Sequence, residues 1–102
     1  MYFAQNNTRN QFELYLSFLG EIVDHNNQNY KAFFQGILRD TRALSTGEIN
    51  YSNLSAEHFD IISVLSEKHK DYFRDIDVDH LTTENFNQIL TFLKTDVEQL
   101  AY

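Results

Sequence analysis

The residues best suited to chemistry in this 102-residue chain are the carboxylates between positions 71 and 84. Asp75, Asp77 and Asp79 have the D-x-D-x-D spacing that opens an EF-hand calcium loop. The remainder of the loop does not follow, because His80 replaces the glycine of the sharp turn and Phe86 replaces the bidentate glutamate. We therefore predict no metal site, with a degenerate EF-hand-like, metal-responsive protein as the less favoured alternative.

The same acidic segment is better suited to binding a cationic protein surface. Arg74 is the only lysine or arginine among its carboxylates, and tyrosines nearby could serve as aromatic anchors. The predicted partner-binding residues are Asp71, Tyr72, Asp75, Asp77, Asp79, Glu84 and Tyr51. The competing interpretation is a solvated surface, whose acidic residues near the start of a helix offset the helix dipole.

No pattern of catalytic residues accompanies this acidic segment. The chain lacks cysteine, a G-x-S-x-G motif and a glycine-rich phosphate loop. Its histidines, at positions 25, 58, 69 and 80, form no H-x-x-x-H or Glu-x-x-His pair. We predict a protein that is not an enzyme and needs no cofactor. His80 beside Asp77 and Asp79 is a candidate for a pH-sensitive loop contact.

The net charge of −7 defines the class of partner. Nucleic-acid binding relies on cations that displace phosphate counterions, and anionic membranes attract basic segments, so neither is expected to bind directly. The predicted partner is a basic protein, such as a nuclease toxin or a nucleic-acid-binding protein. Immunity proteins and phage-encoded inhibitors are analogous in size and charge. With no secretory signal recognised and no cysteine, we expect a cytoplasmic location.

Two similar segments mark helix starts that would position these residues. Segments 54–59 and 81–86 each begin with leucine, continue with a hydroxyl residue and end with phenylalanine. Ser55 and Thr82 are suited to be N-caps, and the leucine and phenylalanine have the spacing of a hydrophobic staple. A third start is predicted near Thr8, where Gln11 could complete a capping box.

Helical spacing of apolar residues predicts an all-α protein, a compact antiparallel four-helix bundle forming a single domain. We place the helices at about 9–25, 29–44, 56–73 and 83–100, joined by a polar turn at 26–29, a loop at 45–53 and an acidic connection. The predicted buried residues are Phe12, Tyr15, Leu16, Leu19, Ile22, Val23, Tyr30, Phe33, Phe34, Ile37, Leu38, Leu44, Phe59, Ile62, Leu65, Phe73, Phe86, Ile89, Leu90, Leu93, Val97 and Leu100.

The first helix carries a second apolar flank, formed by Leu14 and Phe18. This flank leaves open an alternative function, a structural or assembly module that forms a homodimer through helix 1. Gly20 and Gly36 lie beside the apolar stripes of the first two helices, where glycine weakens a helix. We interpret them as points where the two helix backbones approach closely.

Overall fold

The computed structural model describes residues 2–54 and 58–99, with side chains from residue 8 onward. Its α-helices are α1 (Tyr2–His25), α2 (Gln28–Thr46), α3 (Phe59–Lys68), α4 (Lys70–Asp75) and α5 (Thr83–Gln99), and a 3-10 turn covers Tyr51–Asn53. The radius of gyration, 12.9 Å, is that of a compact domain of about 100 residues. The predicted all-α class is confirmed.

The helices pack as a bundle around α1 and α2. Helix α1 contacts α2, α3 and α5, while α2 also contacts α3 and α4. Together α3 and α4 occupy the place of the predicted third helix, which is interrupted at His69 (φ −126°, ψ 39°). The single helix predicted at 56–73 is therefore wrong, and residues 55–57 lie outside the described part of the chain.

The core contains most of the predicted apolar stripes, although six of the predicted residues are only partly buried and pack against it: Leu16, Val23, Tyr30, Leu44, Leu90 and Val97. Phe33 is 44% exposed and Phe59 is 38% exposed, so neither is the core residue that helical spacing predicted. Leu100 lies outside the described residues. The buried apolar residues are Phe12, Tyr15, Leu19, Ile22, Phe34, Ile37, Leu38, Ile61, Ile62, Leu65, Phe73, Ile76, Val78, Leu81, Phe86, Ile89 and Leu93.

The predicted start of the first helix near Thr8 is wrong, because α1 already begins at Tyr2. Inside a continuous helix the backbone N–H groups near Thr8 and Gln11 are not the orphan donors of a first turn. These side chains instead reach α3: Thr8 Oγ1 donates to Asp60 Oδ2 at 3.0 Å, and Gln11 Oε1 accepts the Ile61 N–H at 3.3 Å. The two polar residues thus connect α1 to the first turn of α3.

The interpretation of Gly20 and Gly36 as close-approach points is also wrong. A Cβ atom placed on either glycine would meet nothing within 4 Å. The α1–α2 interface is filled by aromatic rings, including Phe18 stacked on Tyr30 at 4.9 Å. Rings of this size hold the two backbones apart, so the interface has no steric need for glycine.

Both ends of α2 and the start of α5 are determined by residues adjacent to them in sequence. Asn27 caps α2, because its Oδ1 accepts the Asn29 N–H at 3.0 Å. Gly47, with φ 82°, ends α2 in the left-handed conformation that favours glycine. At α5 the predicted Thr82 cap is present: Thr82 Oγ1 accepts the Asn85 N–H at 3.1 Å, and Asn85 Oδ1 accepts the Thr82 N–H at 3.0 Å. The predicted Ser55 cap lies outside the described residues.

Candidate partner-binding surface

The connector between α4 and α5, residues 76–82, places apolar and acidic side chains on opposite sides. Ile76, Val78 and Leu81 are 7%, 3% and 8% exposed and belong to the core. Asp77 and Asp79, which alternate with them, are exposed. The backbone is extended at Ile76 (φ −73°, ψ 145°), and the chain then turns, with the His80 N–H donating to the Asp77 carbonyl oxygen at 3.2 Å. The buried residues therefore hold the carboxylates outward.

Helix α2 holds this connector in place through two polar side chains. Gln35 Nε2 donates to the Val78 carbonyl oxygen at 3.2 Å. Arg39 Nη2 and Nε lie 2.8 and 3.2 Å from Asp79 Oδ1. Neither residue was predicted to belong to the site. They lie about 40 positions upstream, and their only local signal is that they are four residues apart on one polar flank of α2.

Asp77 organises the turn within the connector. Its Oδ1 accepts the Asp79 N–H at 3.2 Å, and its Oδ2 lies 3.1 Å from His80 Nδ1. The hydrogen bond from His80 lowers the pKa of Asp77 below its usual range, assisted by the Asp79 N–H. The predicted contact between His80 and Asp77 is present, whereas Asp79 pairs with Arg39.

Tyr72 and Glu84 lie together where α5 begins. The Tyr72 ring packs edge-on against Phe92 with centroids 5.1 Å apart, and its hydroxyl oxygen accepts a hydrogen bond from Asn85 Nδ2 at 3.0 Å. Burial raises the pKa of Tyr72, the Asn85 hydrogen bond opposes the shift, and the nearby charge of Glu84 adds to it. Tyr72 is thus a half-buried, firmly positioned ring beside a carboxylate.

The other predicted carboxylates are exposed on α4. Asp71 Oδ1 lies 2.8 Å from Arg74 Nη2, and Asp75 ends the helix. The sequence suggested that Arg74 alone offsets these carboxylates, but Arg39 also forms an ion pair with Asp79, and the His80 ring contacts Asp77. We call the set Asp71, Tyr72, Asp75, Asp77, Asp79 and Glu84 the acidic surface.

Tyr51 has different neighbours from the acidic surface. Its hydroxyl donates to Glu67 Oε2 at 2.8 Å, and its ring lies edge-on to Phe59 with centroids 5.8 Å apart. The Glu67 hydrogen bond and charge, with a contribution from burial, raise the pKa of Tyr51. These contacts place Tyr51 against α3, whereas Tyr72 contacts α5.

A buried carboxylate, Asp96, lies outside the acidic surface. It is 2% exposed, with Oδ2 3.4 Å from His69 Nε2 and Oδ1 3.7 Å from Lys68 Nζ. The His69 ring also stacks on Phe92 with centroids 3.7 Å apart. His69 Nε2 and Asp96 Oδ2 are buried beside each other, but neither of these two atoms has a hydrogen-bond partner. Both contacts of His69 with α5 are made by the residue at which α3 and α4 are interrupted.

Within residues 2–54 and 58–99, no three metal-binding side chains are placed to share an ion. In that same part of the chain, no helix has the length and apolar character required to cross a bilayer. No protein-family model, curated protein or solved structure matches this chain.

Proposed function

We propose that this protein is a stoichiometric binding protein that docks on a basic partner protein through the acidic surface and thereby blocks or regulates it. The observation that carries the proposal is the anchoring of the connector. Ile76, Val78 and Leu81 are buried while Asp77 and Asp79 project outward from the same segment. Carboxylates held in place before binding lose less conformational freedom on association than carboxylates on an unanchored loop.

The ion pairs within the acidic surface are compatible with binding. The Arg39–Asp79 pair has side chains 55% and 59% exposed, and the His80–Asp77 pair has side chains 84% and 65% exposed. Exposed pairs of this kind contribute little to stability, because solvent and salt screen them. A lysine or arginine of a partner can therefore take the place of Arg39 or His80 at little cost.

Tyr72 gives the acidic surface an aromatic anchor. Its ring is fixed by Phe92 and its hydroxyl by Asn85, so the side chain has little freedom to lose on binding.

Proteins that act on nucleic acids carry cationic grooves for phosphates, and the carboxylates of this surface would occupy such a groove. The proposal includes a cytoplasmic location and a nuclease toxin or nucleic-acid-binding protein as partner.

The test compares two variants of equal net charge. The first replaces Asp75, Asp77 and Asp79 with asparagine. The control carries Glu21→Gln, Asp24→Asn and Glu98→Gln, which remove the same number of exposed carboxylates elsewhere. Immobilised wild-type protein and both variants are incubated with lysate of the source organism, and the retained proteins are quantified. We expect the wild type and control to retain one basic protein in equal stoichiometry, and the first variant to lose at least about 90% of it.

Binding kinetics with the retained protein would then identify the mechanism. The asparagine variant should associate more slowly than the control, and its association should depend less on salt concentration, because electrostatic steering acts mainly on the association rate. Equal losses in the two variants would indicate a general effect of net charge. Full retention by the asparagine variant would remove the acidic surface from the mechanism.

Self-association through helix 1 is a second candidate function, favoured by the exposed apolar residues beside it. Leu14 is 51% exposed and Phe33 is 44% exposed. Phe18 is half-buried, and its ring contacts that of Phe33 with centroids 5.7 Å apart. Light scattering across a concentration series tests this candidate: Leu14→Glu should dissociate a dimer, and a monomeric wild type at every concentration would contradict it.

A further inference from the structure

A cavity of about 290 Å³ lies between α2 and the α3–α4 pair, and none of its lining residues belongs to the acidic surface. Its lining residues are Leu44, Ser45, Tyr51, Ser66, Glu67 and Lys70. Two of them, Ser45 and Ser66, are buried at 6% and 4% exposure. Polar side chains are seldom buried without a reason, so the hydrogen bonds of these residues indicate what the cavity can accept.

The hydroxyl protons of both serines are already used within their own helices. Ser45 Oγ donates to the Thr41 carbonyl oxygen at 2.9 Å, and Ser66 Oγ donates to the Ser63 carbonyl oxygen at 3.1 Å. A serine hydroxyl has one proton to donate and two lone pairs that accept. These two serines can therefore act only as hydrogen-bond acceptors toward a ligand.

Tyr51 and Glu67 add acceptors of the same kind. The Tyr51 hydroxyl donates its proton to Glu67 Oε2 at 2.8 Å, which leaves the phenol oxygen as an acceptor. The Glu67 carboxylate accepts hydrogen bonds only and carries a negative charge. Lys70, on the exposed side of α4, is the lining residue whose side chain supplies N–H donors.

We propose that this cavity binds an organic cation that carries N–H donors, namely a primary ammonium or a guanidinium group. Glu67 supplies the countercharge, and the oxygens of Ser45, Ser66 and Tyr51 accept its hydrogen bonds. The cation's alkyl chain packs against Leu44. The site shares no residue with the acidic surface, so it stands independently of the function proposed above.

Substituting Lys70 can distinguish cation binding in this cavity from a general electrostatic attraction to the protein. Its ammonium group lines the same cavity, repels an incoming cation and competes for the same acceptors. Replacing Lys70 by methionine should therefore tighten binding, while Glu67→Gln should weaken it. These opposite changes are both made at exposed positions, where substitutions seldom prevent folding.

The experiment is a titration followed by NMR of the backbone amides, with n-butylammonium, n-butylguanidinium and tetramethylammonium as probes. Tetramethylammonium carries the charge but no N–H donor. We expect the first two probes to shift amides around residues 44–51 and 66–70. Glu67→Gln should raise their dissociation constants at least about tenfold, and Lys70→Met should lower them severalfold. Glu98→Gln, an equal change of charge at an exposed position of α5, should leave them unchanged.

Several results would overturn the site. These are equal binding of tetramethylammonium, no shift with either N–H probe, or equal effects of Glu67→Gln and Glu98→Gln. A blocked peptide with one arginine distinguishes the sources of the cation: binding would support a partner's side chain, and binding of the free amines alone would support a small molecule. The variant with asparagine at 75, 77 and 79 should bind these probes normally, which separates this test from that of the acidic surface.

Discussion

Segments 54–59 and 81–86 have similar sequences, but the described residues of the first segment, 54, 58 and 59, pack differently from their counterparts in the second. At the second segment Thr82 and Asn85 exchange hydrogen bonds, and Leu81 and Phe86 are 8% and 4% exposed. At the first segment α3 begins only at Phe59, which is 38% exposed. The residue before it, at position 58, makes no capping hydrogen bond through its side chain.

The difference arises from what lies next to each helix start. The first turn of α3 is met by α1, where Gln11 accepts the Ile61 N–H and Thr8 donates to Asp60. The start of α5 is instead stabilised by its own cap and by a connector whose apolar residues are buried. A local pattern can therefore indicate that a helix is present, while a neighbouring helix determines how its first turn is completed and which residue is buried.

Removing the two phenylalanines tests this contrast most strongly. Phe86→Ala should lower the free energy of unfolding by about 3–5 kcal/mol, because it leaves a cavity in the core. Phe59→Ala should cost less, about 1–2 kcal/mol, since more than a third of the residue is already exposed to solvent. Urea denaturation followed by circular dichroism measures both values. Equal losses would mean that the two segments are equivalent after all.

Removing the caps tests the same contrast at the level of hydrogen bonds. Thr82→Ala should destabilise the protein by about 1 kcal/mol, and Thr82→Asp, which keeps an acceptor, should be close to neutral. Gln11→Ala should reduce stability by about 0.5–1.5 kcal/mol, although it lies in a different helix from the N–H that it satisfies. Amide exchange should then accelerate at Ile61 in that variant and at Asn85 in Thr82→Ala. The reverse assignment would contradict these capping roles.

Two glycine substitutions separate local backbone geometry from packing. Gly36→Ala should stabilise the protein by about 0.5–1 kcal/mol, because alanine favours the helix and its Cβ would meet nothing within 4 Å. Gly47→Ala should destabilise it by about 1 kcal/mol, because the φ of 82° at the end of α2 is unfavourable for alanine. Thermal unfolding of both variants compares these signs. A destabilised Gly36→Ala would restore the idea of close helix contact.

The smallest expected effect concerns pH and the connector. The folded state lowers the pKa of Asp77 through His80, so the stability from this group is present above the pKa of an unfolded aspartate, about 3.9. It is lost as pH falls through the lower folded-state pKa. A carboxyl NMR titration should show a midpoint below the usual aspartate range, and His80→Gln should return it toward that range. An unchanged midpoint would exclude His80 as the main cause.

Part of the candidate site was predictable from local sequence. The acidic residues, the Thr82 cap and the contact between Asp77 and His80 each depend on groups within a few positions of one another. The roles of Gln35 and Arg39 depend on where α2 packs, so local patterns could not reveal them.

The sequence by itself determined that the chain is helical, where α2 and α5 begin and which side of each helix is mainly apolar, because capping and periodicity act over a few residues. Only the tertiary structure decided that Phe33 and Phe59 remain exposed, that the third helix breaks at His69 and that Tyr51 contacts Glu67 rather than the acidic surface. Each of those outcomes depends on the packing of side chains from different helices. The free energies of these packing contacts depend on the distances between the side chains and on their burial in the folded chain. Local sequence specifies neither.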